Sequence, residues 1–270
     1  MIDAQSPDRR QMLQAAAAAA LAAMLARPAE AAEMQMDHSG HGGMKPVRTA
    51  MLVYPQMVLM DLVGPMTFFS MMHGEMHLVW KDKAPVRTDV GIPISATTTL
   101  KDCPADLDIL FVPGGLEGST ALMDDPEVLG FLADRGARAK YVTSVCTGSL
   151  VLGAAGLLKG YRATSLWNVR DLLSLMGATV VPERVVMDRN RITGGGVTAG
   201  LDFGLLIARA IMGEEHAKHF QLALEYDPHP PMQAGSPEKA GPEITKFILD
   251  GRGPAIAAAR VKAEAAGKRI

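Results

Sequence analysis

From residue 47 onward, short runs rich in β-branched and aliphatic residues alternate with longer stretches whose apolar positions recur at helical spacing. That alternation predicts βαβ units around a mostly parallel sheet. Strands are expected at 48–54, 77–80, 108–112, 141–145 and 191–193, with shorter pieces at 90–94 and 185–187. Helices are expected at 62–72, 126–139, 148–158, 168–176, 197–212, 214–224 and 242–266. The last of these, Ala-rich and mildly basic, is expected as a surface helix, either solvated or part of a dimer interface.

Sheets of this kind bind ligands outside the carboxyl ends of their strands, where loops lead into the next helix. Four such loops should share one rim: 55–65 with Asp61, Pro113-Gly114-Gly115, Cys146-Thr147-Gly148, and Gly194-Gly195-Gly196. Around Cys146 a buried strand runs into a tight turn and then a helix of small residues, the setting of a nucleophile elbow. A thiol at a helix N-terminus meets the positive end of the dipole and free N–H groups, so its pKa is expected to fall.

Two plainer readings compete for Cys146, an inert core thiol or a disulfide with Cys103. Cys103 precedes one strand and Cys146 follows a parallel one. At about 3.3 Å per residue this puts them roughly 15 Å or more apart, beyond the roughly 7 Å between Cα atoms that a disulfide tolerates. Asp61 interrupts an apolar run. It is either the N-cap of the helix expected from 62, or a desolvated carboxyl that gives and takes back a proton beside the thiol. N–H groups near Gly115 and Thr147 are candidates to stabilise developing negative charge, with turn formation as the plain alternative. The Gly194 to Gly196 run lacks phosphate-binding spacing and is expected only to turn a strand into a helix.

Composition adds a leader and a tail. The 270 residues, 48% hydrophobic and 21% charged with net charge −2, suffice for one substantial core. Near-neutral charge argues against nucleic acid, which demands a Lys/Arg surplus. Residues 1–31 place Arg9-Arg10 before an alanine-dominated run and then Ala29-Glu30-Ala31. This resembles a twin-arginine export signal and implies a periplasmic protein, an Ala-rich leader being the alternative. The run is shorter than the roughly 20 apolar residues of a stable membrane span. Residues 32–46 form a polar linker in which Met34, Met36, His38, His41 and Met44 could also hold copper, since thioethers suit Cu(I) and imidazole Cu(II).

Taken together, Asp61-Leu62-Val63-Gly64-Pro65, Phe111 to Gly115, Ser144 to Gly148 and Thr193 to Gly196 resemble the ThiJ/PfpI superfamily, more narrowly its isonitrile hydratase branch. The resemblance covers about residues 47–240, followed by a C-terminal helical extension at 241–270. It implies an α/β flavodoxin-like three-layer sandwich, akin to class I glutamine amidotransferases, that works as a homodimer without cofactor. It further implies a hydro-lyase in which Cys146 attacks an isocyanide, Asp61 supplies a proton and Thr147 helps position water, with Gly64, Gly114 and Gly115 near the small-molecule substrate. Where the branch has Thr-Thr-His-Trp, this chain has Thr164-Ser165-Leu166-Trp167. Other chemistry at the same cysteine, on reactive carbonyls, and a noncatalytic redox-stress or copper-binding role are the alternatives. A regulator of this superfamily would append a helix-turn-helix domain, for which about 30 residues leave no room.

Overall fold

The computed structural model describes residues 45–270. The proposed signal peptide and the Met/His segment through Met44 lie outside the described residues.

The chain enters on β1 (Arg48–Leu52), whose last four residues are buried, and crosses through α1 (Leu59–Met71) to β2 (Glu75–Trp80). Two short strands, β3 (Val86–Arg87) and β4 (Pro93–Ile94), form an antiparallel ribbon, and β5 (Thr98–Thr99) closes one sheet edge. The chain then returns to the centre as β6 (Ile109–Val112), buried at every position, followed by α2 (Leu116–Leu122) and α3 (Pro126–Gly136). Asp125 caps α3, accepting from the backbone N–H groups of Glu127 and Val128, with Pro126 at the first turn where no N–H is needed.

Strand β7 (Tyr141–Ser144) leads into α4 (Gly148–Ala154). Next come β8 (Arg162–Ala163), a 3-10 helix (Arg170–Met176), β9 (Thr179–Val180), β10 (Val185–Asp188) and β11 (Arg191–Gly194). Helices α5 (Ala199–Met212), α6 (Glu214–Ala223), α7 (Pro237–Ala240) and α8 (Pro242–Arg269) complete the chain.

Seven strands form one sheet in the order β10-β11-β7-β6-β1-β2-β5, with only the β10–β11 pair antiparallel. Helices cover both faces, giving the flavodoxin-like sandwich that the alternation of patterns predicts. On one face Phe69 of α1, Phe203 of α5 and Phe111 of β6 pack with ring centroids 5.7–6.4 Å apart. The two helices meet along a seam of small residues: a methyl on Gly204 would lie 2.5 Å from the Phe68 ring, and one on Gly200 3.2 Å from Pro65.

Three expectations need correction. Helix α1 begins at Leu59, three residues early, so its N-cap is Val58 and Asp61 sits inside the first turn. The pattern also misses α2, seven residues directly after the Pro-Gly-Gly turn, too short to display helical periodicity. Finally, the C-terminal extension is not a detached surface helix. Ala259, Ala263 and Ala266 of α8 are fully buried, and a methyl on Gly267 would meet the Leu175 carbonyl at 2.0 Å. Arg269 donates to the Met123 carbonyl at 2.7 Å, tying the end of α8 to the loop after α2.

Candidate active site

All four predicted rim loops converge at the carboxyl ends of β1, β6, β7 and β11. Cys146 follows β7 by two residues and has φ +56°, a left-handed conformation that a non-glycine residue holds only when its surroundings impose it. They do so from both sides. The Cys146 N–H donates to the carbonyls of Gly195 and Gly194 at 2.7 and 3.1 Å, and its own carbonyl accepts from Ser165 Oγ at 2.9 Å and Ser149 Oγ at 3.2 Å. The glycine run after β11 therefore does more than turn the chain, because it clamps the elbow.

Asp61 reaches the thiol from α1. The carboxyl is fully buried, and its Oδ2 accepts the Gly114 N–H at 2.9 Å. Oδ1 has no formed hydrogen bond, and the carboxyl lies within reach of the Cys146 thiol. Burial pushes the Asp61 pKa up to about 7, against the opposing pull of the Gly114 N–H and the thiol. Burial also drives the Cys146 pKa well above its ordinary value, and the neighbouring carboxylate adds to the rise, while the Thr147 N–H pulls the other way. The lowered thiol pKa expected from sequence is thus reversed. Desolvation by the packed rim outweighs a helix terminus of only seven residues. With Asp61 titrating at about 7 and the thiol higher, the pair is left with one proton between them only above about pH 7.

Gly114 is the hinge pin of this arrangement. A Cβ there would fall 2.6 Å from Cys146 Cβ, 2.6 Å from the Thr147 nitrogen and 2.7 Å from Asp61 Oδ2. No side chain fits, so Gly114 holds acid and thiol together and leaves the cavity to others. Gly115, at φ +142° and with Gln56 and Met57 against its Cα, does line the cavity, but its N–H is spent on Thr147 Oγ1 at 2.8 Å. It is not free to hold developing charge. Thr147 turns its hydroxyl and its N–H to different partners. Its buried hydroxyl bonds Gly115 and Ser119 Oγ, the latter at 2.8 Å, and Ser119 in turn meets Tyr54 Oη at 3.0 Å. The part of Thr147 that faces the thiol is its N–H. Gly64 lies elsewhere, in the α1–α5 seam with Leu201 at 3.7 Å.

Cys103 and Cys146 are both free and buried, as the strand argument required. Residues 47–210 match the model of the DJ-1/PfpI family. The chain belongs to the DJ-1/PfpI family. It is 50% identical over 190 residues to an isonitrile hydratase of Pseudomonas putida, covering 70% of this chain and 82% of that one. A crystal structure of a ThiJ/PfpI family protein from Pseudomonas syringae superposes with a TM-score of 0.80 at 47% identity, over 88% of this chain and 98% of the other. A DJ-1 superfamily protein from Salmonella typhimurium, in its C103A form, matches with a TM-score of 0.61 at 26% identity over 67% of this chain and 99% of that one.

In this DJ-1/PfpI chain the cysteine opens onto a cavity of about 520 Å³. Leu166 and Trp167 line it, so the position where the resemblance leads one to expect histidine presents an apolar side chain to the cavity. Asp89 and Glu117 add acidic groups at the mouth. Helix α8 also lines it, through Ile248, Gly251, Arg252 and Ala255. Sequence reasoning missed this contribution, because nothing in the spacing of 242–269 says that the helix folds back over the rim. One local signal was present. Gly251, Gly253 and Pro254 lie inside a long helix, where glycine costs about 1 kcal/mol and proline about 3 kcal/mol relative to alanine.

Proposed function

We propose that this enzyme hydrates an isocyanide to an N-substituted formamide through a thioimidate on Cys146. The observation that carries this reading is the buried pair: one carboxyl, its Oδ1 free of formed hydrogen bonds, facing one thiol at a strained elbow, in a chain half identical to an isonitrile hydratase.

The reaction needs a nucleophile and a proton at the same carbon, which one shared proton can serve. In the reactive form the proton sits on Asp61 and the sulfur is thiolate. Sulfur attacks the terminal carbon of R–N≡C, and Asp61 protonates that carbon, giving R–N=CH–S–Cys146. Asp61, now carboxylate, takes a proton from water as the hydroxyl adds to the same carbon, and passes it to nitrogen. Collapse of R–NH–CH(OH)–S–Cys146 breaks the carbon–sulfur bond and returns the hydroxyl proton to Asp61. Formamide leaves, and the pair regains its starting state. The Thr147 N–H steadies the sulfur when it is anionic, at the start and on departure. Leu166, Trp167 and Ile248 offer the R group an apolar surface.

Intact-protein mass spectrometry after rapid acid quench tests the covalent step. Wild-type protein should gain the mass of the isocyanide on the Cys146 peptide, and Cys146→Ala should gain none. An adduct that persists in Cys146→Ala overturns the assignment.

Arg9-Arg10 and the following alanine run support export by the twin-arginine route to the periplasm, in keeping with a buried thiol assembled before it meets an oxidising compartment. The exposed Ile244 and Phe247 on α8 support a homodimer.

A further inference from the structure

Helix α8 brings one positive charge to the cavity, and the surroundings of that charge set it apart. Among the described residues, Arg252 is the only cationic side chain lining the cavity that Cys146 opens onto. It forms no ion pair among the described residues, whereas Arg260, Lys262 and Arg269 of the same helix are all paired, to Asp171 or Asp124. The helix is also built differently on its two sides. Beyond Pro254, Ala259, Ala263 and Ala266 are fully buried and anchor it. Before Pro254 no residue of α8 is buried, and Phe247 is 80% exposed.

Between the two halves Arg252 stands in Gly251-Arg252-Gly253-Pro254. Neither glycine is required for space, since an added Cβ would meet nothing within 4 Å, and neither has a positive φ. Pro254 removes one helical hydrogen bond at the same place. Three helix-weakening residues therefore surround the one side chain of α8 that carries charge into the cavity, without any packing reason to be there.

We infer that Arg252 is a positioning residue of the active site, its guanidinium favouring the thiolate of Cys146 from across the cavity. The groups around the thiol make this consequential. Asp61 from α1, Asp89 from the β3–β4 turn and Glu117 from α2 are acidic, and Tyr54 from the end of β1 is buried and neutral. Among the described residues, the Thr147 N–H and Arg252 are the groups that favour the thiolate against Asp61. An unpaired guanidinium is a long-range influence, felt without contact and weakened by salt.

The test reads the thiol itself and stands whether or not isocyanide is the substrate. The rate of alkylation of Cys146 by iodoacetamide, a neutral reagent, is followed by peptide mass spectrometry from pH 6 to 10 in the full chain at low salt. Arg252→Gln should slow alkylation about threefold below the midpoint and shift the profile to higher pH by the equivalent half unit. Arg252→Lys should restore most of the rate, and added salt should shrink the difference. Arg260→Gln removes a charge from the same helix outside the cavity and should leave the profile in place. Circular dichroism melts check that both glutamine variants are folded. A profile for Arg252→Gln that coincides with wild type, or one that moves equally in Arg260→Gln, overturns the inference. Isocyanide turnover measured in parallel bears only on the hydratase reading.

Discussion

Gly114→Ala should disable the enzyme while leaving it folded, and the size of both effects follows from the distances around Gly114. The new methyl would sit 2.6 Å from Cys146 Cβ, where carbon atoms normally approach to about 3.5–4.0 Å, so about 1 Å must be yielded. None of the neighbours can swing away cheaply. Cys146 is held by two carbonyls at its N–H and two hydroxyls at its carbonyl, and Asp61 lies in a helix fixed by the Gly204–Phe68 seam. Overpacking of this kind costs about 1–3 kcal/mol, equivalent to a fall in Tm of about 2–12 °C for a body of this size. Displacing the acid from the nucleophile by about 1 Å should cost on the order of 100-fold in kcat. Gly130→Ala provides the control, because nothing lies within 4 Å of its Cβ position in α3, and it should match or slightly exceed wild-type stability. Thermal melts and turnover measured together decide the matter. A Gly114→Ala protein with wild-type Tm and turnover would refute the claim that this glycine sets the spacing of the pair.

Turnover should depend on the charge state of that pair. The form holding one proton appears as pH rises through about 7, where Asp61 loses its proton, so kcat/KM should climb through that range and fall only well into alkali; a flat profile across pH 6–8 would contradict this. The same carboxyl should weaken the fold as pH rises. Its folded pKa of about 7 lies above the usual 3.8, so its contribution is fully present below about pH 4 and is lost by pH 7–8, at most about 4 kcal/mol. Asp61→Asn should flatten this part of the denaturation-versus-pH curve and abolish turnover. Cys103→Ala should retain most activity, since Cys103 lies in the core at the other end of β6, where its partners are the Pro104 carbonyl and Arg135 and not the rim. Gly267→Ala should loosen α8, because its methyl would collide with the Leu175 carbonyl. Limited proteolysis should then cut after residue 241 sooner than in wild type.

The sheet was legible because each central strand is a run of apolar residues ending in a distinctive turn. Pro113-Gly114-Gly115 and Cys146-Thr147-Gly148 locate the carboxyl ends of β6 and β7 almost to the residue. Asp61 was legible as a candidate but not as a site residue from local pattern alone. An acid before an apolar run has the form of a helix cap, and only the three-residue earlier start of α1 turns it inward. For Thr147 and Gly115, which polar atoms point at the thiol depends on hydrogen bonds across loops 32 residues apart. Arg252 and the α8 wall were invisible, since the lining of one cavity by residues 146 and 252 leaves no periodic trace in sequence.

The central claim is tested most directly by formamide release from a small isocyanide, measured by chromatography with purified wild-type protein, Cys146→Ala and Asp61→Ala. Sustained release by wild type, with loss in both variants, is the predicted result. Release that survives Cys146→Ala would contradict a mechanism built on this thiol, and no release by wild type across alkyl and aryl isocyanides would contradict hydration of isocyanides as the activity of the site.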